Sequence, residues 1–152
     1  MTTRIRRARR ADIAGMHRVR MSVRENQLVS TVITESDYIE HLESSGRGWV
    51  AEESGEIVGL AIVNSRTGNI WGLFVHPDYE KRGLGRRMLD TAVGWLRSRG
   101  LSRLWLTTEP GTRAQRFYEA AGWSQVGVTE QGELRFELID PTPPVDGSRA
   151  DG

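Results

Sequence analysis

Residues 76–87, HPDYEKRGLGRR, lie between an apolar run, NIWGLFV (69–75), and a run with helical periodicity, MLDTAVGWLRSRG (88–100). The chain must therefore pass from a strand into a helix through a loop carrying two glycines and four cations. The first amide groups of such a helix have no intrahelical acceptor, and the helix dipole adds partial positive charge there. Gly83 and Gly85 let the backbone curl closely, and Lys81, Arg82, Arg86 and Arg87 add long-range attraction, so the loop suits an anion. Taken alone, a G-x-G is equally a turn under a solvated cationic face. Two nucleotide motifs are excluded, since Gly85 is followed by Arg86 rather than the Lys-Ser/Thr of a P-loop, and a three-glycine dinucleotide fingerprint fails at Met88.

A chain of 152 residues, 38% hydrophobic, builds one core, read as a single domain over 1–140. The tail 141–152 holds three of the five prolines and no apolar period, and is expected to be disordered. There is no cysteine, which removes disulfides, thiolate metal sites and thiol nucleophiles together; no metal site is expected. The 21 basic and 20 acidic residues nearly cancel, which argues against a general nucleic-acid binder. The apolar runs are too short to span a bilayer and the N-terminus lacks a signal-like apolar core, so a cytoplasmic protein without a membrane partner is expected. Arg4, Arg6, Arg7, Arg9 and Arg10 form the one cationic cluster near the N-terminus, read as solvated groups on a short edge strand, with Asp12 favouring the start of the next helix.

Periodicity and turn signals give the order β-α-α-β-β-β-α-β-α-β-β. Ile13, Met16, Val19 or Arg20, and Val23 mark a helix from Ala11 to about Arg24. Thr34 with Asp37 reads as a capping box for a second helix through about Ser45, ended by SSGRG. WVAEE and IVGLAIVNS form a hairpin, and TGN turns into the strand at 69–75. Leu84, Met88, Leu89, Ala92, Val93 and Leu96 share a helical face that closes at Gly100. LSRLWLTT is a strand, TRAQRFYEAAGW a short helix closed by Gly122, and SQVGVTEQGELRFELI a hairpin around Gln131-Gly132. His17 and His41 read as helix-surface residues and His76 as a turn residue, none of them catalytic.

With these elements in place, LFVHPDYEKRGLGRRML and FYEAAGW resemble the GNAT superfamily of N-acetyltransferases. The family's loop, Gln/Arg-x-x-Gly-x-Gly/Ala, is matched by EKRGLG (80–85) except at Glu80. The family's Y-E-x-x-G-F/W signature is matched by Tyr118 to Trp123, and the element order agrees through nearly the whole chain before the tail. The resemblance implies an α/β (α+β) fold: a mixed, mostly antiparallel sheet of six to seven strands with about four helices, splayed between strands four and five. It implies acetyl-CoA as cofactor, with pyrophosphate on Lys81, Arg82, Gly83, Leu84, Gly85 and Arg86, and the pantetheine arm along Leu73, Phe74 and Val75.

The same resemblance makes Tyr118 the general acid that protonates the leaving sulfur, its alternative being a packed core tyrosine. Acetyl transfer needs a neutral amine, whereas an alkyl amine has a pKa of roughly 10. No carboxylate occurs in NIWGLFV, so Glu109, after LWLTT, is the candidate base, with ordered water as an alternative. Gly111 stands where the family often has Asn. Trp71 and Gly72 fall toward the acceptor end of the strand. The acceptor wall is expected from about Glu25 to Thr34 and from the last hairpin, with Glu25, Glu35 and Asp37 able to attract a cationic amine. The reading is direct acetyl transfer to a primary amine of a small molecule or peptide, with a possible homodimer and no nucleic-acid partner. The alternative is a catalytically degenerate acyl-CoA-binding module.

Overall fold

A computed structural model of the chain describes residues 3–23 and 33–139. The elements run β1 (Arg4–Arg7), a 3-10 turn (Arg10–Asp12), α1 (Ile13–Ser22), α2 (Glu35–Glu40) continued by a π turn (His41–Ser45), β2 (Gly46–Glu53), β3 (Glu56–Asn64), β4 (Asn69–Val75), a 3-10 turn (Pro77–Tyr79), α3 (Leu84–Ser98), β5 (Arg103–Thr108), α4 (Arg113–Ala120), β6 (Ser124–Val128) and β7 (Leu134–Ile139). The order is the expected one. The strands form a seven-stranded sheet, β1-β2-β3-β4-β5-β7-β6, in which every neighbouring pair is antiparallel except β4 and β5. The tail 141–152 and most of the segment between the first two helices lie outside the described residues. Among those described, no helix is long and apolar enough to cross a membrane.

Sequence patterning explains the layers. Leu84, Met88, Leu89, Ala92, Val93 and Leu96 of α3 are all buried, as their spacing requires. They pack with Ala51, Ala61 and Val63 on one sheet face, joined by Leu104, Leu106, Tyr118 and Phe136. Met16 and Val19 of α1, with Tyr38 and Leu42, cover Val50, Leu60 and Ile62 on the other face. Alternation along β3 thus sends 60 and 62 to one core and 61 and 63 to the other.

Two boundaries differ from the sequence reading. The segment GRG begins β2 rather than merely ending the helix before it, so the strand starts three residues ahead of Trp49. A Cβ on Gly46 would stand 1.7 Å from the Val63 carbonyl oxygen, so glycine here serves the close approach of two strands. Helix α1 starts at Ile13, preceded by its 3-10 turn, and Val19 rather than Arg20 reaches the core.

The N-terminal arginines are not uniformly solvated. The guanidinium of Arg6 forks onto Asp12 at 3.0 and 2.9 Å and donates to Glu52 at 3.2 Å, and Asp12 also accepts from the Arg9 amide at 2.8 Å. Arg10 pairs with Glu43. Asp12 is 8% exposed, so β1 is fastened to the first helix by a largely water-excluded bidentate pair. The Arg6 hydrogen bonds, helped by the Arg9 amide, hold the Asp12 carboxyl below its ordinary range. Because the native value lies below the unfolded one, the stabilisation is complete above pH 3.8 and is lost as pH falls from there through the native value. Asp12→Asn should cost about 2 kcal/mol at neutral pH, measured by denaturant melts. The gap between variant and parent should narrow in melts repeated at successively lower pH.

Candidate active site

The site begins where β4 and β5 part. Their ladder consists of one pair, Asn69 with Trp105, at the first residue of β4. The Trp105 amide donates to the Gly68 carbonyl at 3.1 Å, and the Asn69 side chain donates to the Trp105 carbonyl at 3.3 Å. Beyond this point β5 pairs along its whole length with β7, while Leu73, Phe74 and Val75 pair with Ala61, Leu60 and Gly59 of β3. The β5-facing backbone edge of residues 70–75 therefore has no sheet partner.

A β-bulge sits at the head of this edge. Ile62 pairs with Gly72 and Val63 with Ile70, so Trp71 is passed over in the register. The extra residue inverts the alternation: Ile70, Leu73 and Val75 pack into the α3 side, whereas Trp71 and Phe74, three apart, both pack into the α1–α2 side.

The lower end of the slot is the loop into α3. Lys81 and Gly83 have φ of 65° and 78°, and Gly83 is the helix N-cap without any side-chain cap. The first helical bond runs from the Arg87 amide to the Gly83 carbonyl at 3.0 Å, so the amides of Leu84, Gly85 and Arg86 precede it without intrahelical acceptors. A Cβ on Gly83 would meet nothing within 4 Å, so this glycine is needed for its left-handed conformation rather than for packing. At Gly85 a Cβ would stand 3.6 Å from the Phe117 ring and 3.7 Å from Val75, which brings α4, the loop and the end of β4 to one place.

The loop's charges are largely matched. Arg82 bonds Glu53 at 3.3 Å and lies 4.9 Å from the Tyr79 ring centroid, and Arg86 pairs with Asp90 at 3.0 Å. Glu80, the departure from the family pattern, is ion-paired with Arg113, the first residue of α4. Lys81 is exposed. Thr112 caps α4 by accepting from the Gln115 amide at 3.2 Å while donating to the Glu109 carbonyl at 2.8 Å. Gly111 has φ 77° and donates its amide to the Gln115 side chain at 2.7 Å. Glu109 is half-buried, and its backbone belongs to this turn.

Tyr118 lies in the α3-side core, 7% exposed, edge-on to Phe117 and Trp123 at 5.2 and 5.7 Å. Burial pushes its phenol above the usual range, so the group stays protonated at neutral pH and is chemically a proton donor.

On the opposite face, the sequence reading missed a linked cluster. The His17 ring is 3.0 Å from the Tyr38 hydroxyl, Tyr38 meets Trp71 edge-on at 5.6 Å, and His41 stacks on Trp71 at 4.0 Å. Arg20 lies 5.0 Å from the Phe74 ring centroid and 5.9 Å from that of Trp71. His17 and His41 are half-buried rather than surface groups. A carbonyl only accepts, so the 3.0 Å contact of His41 Nδ1 with the Asp37 carbonyl puts the proton on Nδ1 and leaves Nε2 as a lone-pair acceptor in the neutral ring. The helical spacing of His17 with Arg20, and of Tyr38 with His41, is the signal that would have found this group. Residues 24–32, including Glu25, lie outside the described residues.

Comparisons with known proteins agree with this geometry. The model of the acetyltransferase (GNAT) family matches residues 9–123. A mycothiol acetyltransferase from Beutenbergia cavernae is 36% identical over 89 residues, 55% of this chain and 30% of that protein. The [ribosomal protein bS18]-alanine N-acetyltransferase of Escherichia coli K12 is 29% identical over 79 residues, 50% of this chain and 53% of that protein. The chain thus matches between about a third and a half of the length of these relatives. Among solved structures, a GNAT acetyltransferase from Staphylococcus aureus Mu50 superposes with a TM-score of 0.78 at 15% identity, over 91% of this chain and 99% of that one. The S18-alanine N-acetyltransferase of Escherichia coli superposes with a TM-score of 0.76 at 18% identity, over 93% of this chain and 96% of that one. With the family model spanning both the α3 loop and the Tyr118 helix, the chain belongs to the acetyltransferase (GNAT) family.

Proposed function

We propose that this chain is an acetyl-CoA-dependent N-acetyltransferase that passes the acetyl group directly to a primary amine of a small molecule or peptide. The observation that carries this reading is the slot between β4 and β5, ending on the uncapped N-terminus of α3. It fits coenzyme A: the amides of Leu84, Gly85 and Arg86, with Lys81, Arg82 and the left-handed Gly83 around them, suit a pyrophosphate, and the unpaired edge of Leu73, Phe74 and Val75 suits an amide-bearing arm added like a strand. The relatives' names support acetyl transfer and leave the acceptor open.

Acetyl-CoA supplies an acetyl group already activated as a thioester. The chain's part is placement and proton handling. The β5-facing edge of residues 70–75, without a sheet partner, leaves backbone groups beside the slot, where an amide can donate to an oxygen that gains negative charge. Tyr118 holds a proton for the departing sulfur, and Glu109 is assigned to take the proton of the amine. Without cysteine there is no thiol to carry the acetyl group, which favours direct attack by an amine held in line.

Free-thiol release from acetyl-CoA, screened across polyamines, amino acids and peptide N-termini, tests the activity. Tight binding without turnover on any amine would instead identify an acyl-CoA-binding module. Tyr118→Phe keeps the ring in the core and removes one hydroxyl; turnover should fall about a hundredfold, with melting temperature and acetyl-CoA affinity little changed. Unaltered turnover would refute the general-acid role.

Gly83→Val forces a branched side chain into the left-handed region, costing roughly 1–2 kcal/mol locally and tilting the amides. Calorimetry should show acetyl-CoA affinity reduced about tenfold or more in a folded protein, and unchanged affinity would remove the loop assignment. The Glu80–Arg113 pair gives a finer test. Arg113→Gln leaves Glu80 unopposed beside the phosphates and should weaken acetyl-CoA severalfold, about 1 kcal/mol, whereas adding Glu80→Gln should restore affinity. Equal affinities for both variants would show that Glu80 is remote from the phosphates.

A further inference from the structure

Helix α3 has a second cationic flank, on the side away from the slot. Arg87, Thr91, Trp95 and Arg99 recur at four-residue intervals, a stripe of roughly 18 Å along the helix. Facing them, β1 and β2 present Arg7, cross-strand to Trp49, and Arg47 two residues before Trp49 on the same face. Between the two walls runs an open groove of about 520 Å³, lined by Ile5, Arg7, Trp49, Arg87 and Thr91 among others.

The groove adjoins a second arginine cluster through Trp49, whose ring meets that of Trp95 edge-on at 5.8 Å. The guanidiniums of Arg47 and Arg99 lie 4.7 and 5.4 Å from the same Trp95 ring centroid. Burial, then the charges of Arg7 and Arg99, push Arg47 below its ordinary value. Arg47 Nε is buried without a hydrogen-bond partner. The ion pairs among the described residues do not include Arg7, Arg47 or Arg99. Asp90 also lines the groove, but it is held by Arg86 at 3.0 Å. Two guanidiniums over one tryptophan, with the charge of Arg7 near enough to act on Arg47 and one guanidinium nitrogen buried without a partner, repel one another at a cost to stability. Edge-strand protection accounts for arginines on β1 but not for Arg47 and Arg99.

We propose that the Trp49–Trp95 end of this groove is a second binding site, for a phosphate-bearing anion gripped by Arg7, Arg47 and Arg99. Three neighbouring cations match a group with two or more negative charges better than a single carboxylate, and guanidinium forks suit phosphate oxygens. The indole is already occupied by guanidiniums, so recognition is of phosphate and not of a stacked base. The site is separate from the loop at Gly83 and Gly85, which faces Phe117 and Val75 on the other side of α3. Its phosphates can belong to a free polyphosphate or to the backbone of a nucleic-acid strand, and both share this chemistry.

The test titrates the full chain with inorganic tripolyphosphate by calorimetry, for the parent, for Arg7→Gln/Arg99→Gln and for Gly83→Val. Arg7 and Arg99 are exposed, so their replacement leaves the core intact. The expected result is binding that weakens with added salt, falls about tenfold or more in the double arginine variant and survives in Gly83→Val. Without anion at low ionic strength, the double variant should melt at or above the parent, because a repulsion is removed. A single-stranded decanucleotide assigns the source: tighter binding than tripolyphosphate points to a nucleic-acid backbone, weaker binding to a free polyphosphate, and either supports the site. Equal tripolyphosphate affinity in parent and double variant would overturn the proposal. So would loss confined to Gly83→Val, which would place the anion in the loop, or equally tight binding of a glutamate decapeptide, which would make carboxylate the ligand.

Discussion

Peptide groups inside a sheet must find partners, and β4 and β5 withhold theirs from each other over most of their length. One ladder pair at Asn69 and Trp105 fixes the hinge of the opening. From there β5 follows β7 and β4 follows β3, each satisfied on its outer side only. The result is an unpaired backbone edge in the middle of a sheet, where neighbouring strands shield it from edge-to-edge association. The parting of these strands also decides what meets at the slot's end, since it lets the α3 N-terminus, Val75 and Phe117 converge around Gly85.

The proposed anion-binding role of that convergence rests on backbone more than on side chains. Arg82 is engaged by Glu53 and Arg86 by Asp90, so two of the four cations that make the loop conspicuous in the sequence are already matched. Glu80, which in isolation would repel a phosphate, is matched by Arg113. What remains directional is the set of helix amides behind the left-handed Gly83, which no side chain caps. The Glu80–Arg113 pair also ties the loop to the helix that carries Tyr118, so the proposed phosphate and proton-donor positions share one mechanical link.

For Tyr118, packing in the core and the proposed role as proton donor are compatible. Its packing against Phe117 and Trp123 fixes the ring, and the same burial that qualifies it as core keeps its phenol protonated. The opposite face is organised differently. Tyr38, His17, His41 and Arg20 gather around Trp71 and Phe74, bringing hydrogen-bonding and charged groups to the face of β4 covered by α1 and α2.

Element order, the buried face of α3, the closing glycines and the strand-to-helix loop were legible in the chain because each depends on neighbours within a few residues: hydrophobic period, capping chemistry and turn conformation. The family resemblance rested on the same local stretches, EKRGLG and FYEAAGW. Where β2 begins was not legible, because Gly46 is dictated by the approach of the Val63 carbonyl, a contact across strands. Nor was the face of Trp71 visible, since strict alternation places it with Leu73 and Val75. One bulged residue, set by the register against β3, sends it to the other side. The partners of Arg6, Arg82, Glu80, His17 and His41 lie in other elements or turn on how a helix face is oriented, and sequence carries charge without saying what it faces. The sequence by itself therefore determined the family, the loop and the candidate acid. Only tertiary structure decided which charges are cancelled, which remain, and which face of β4 meets each cluster, because those depend on register and packing between segments far apart in the chain.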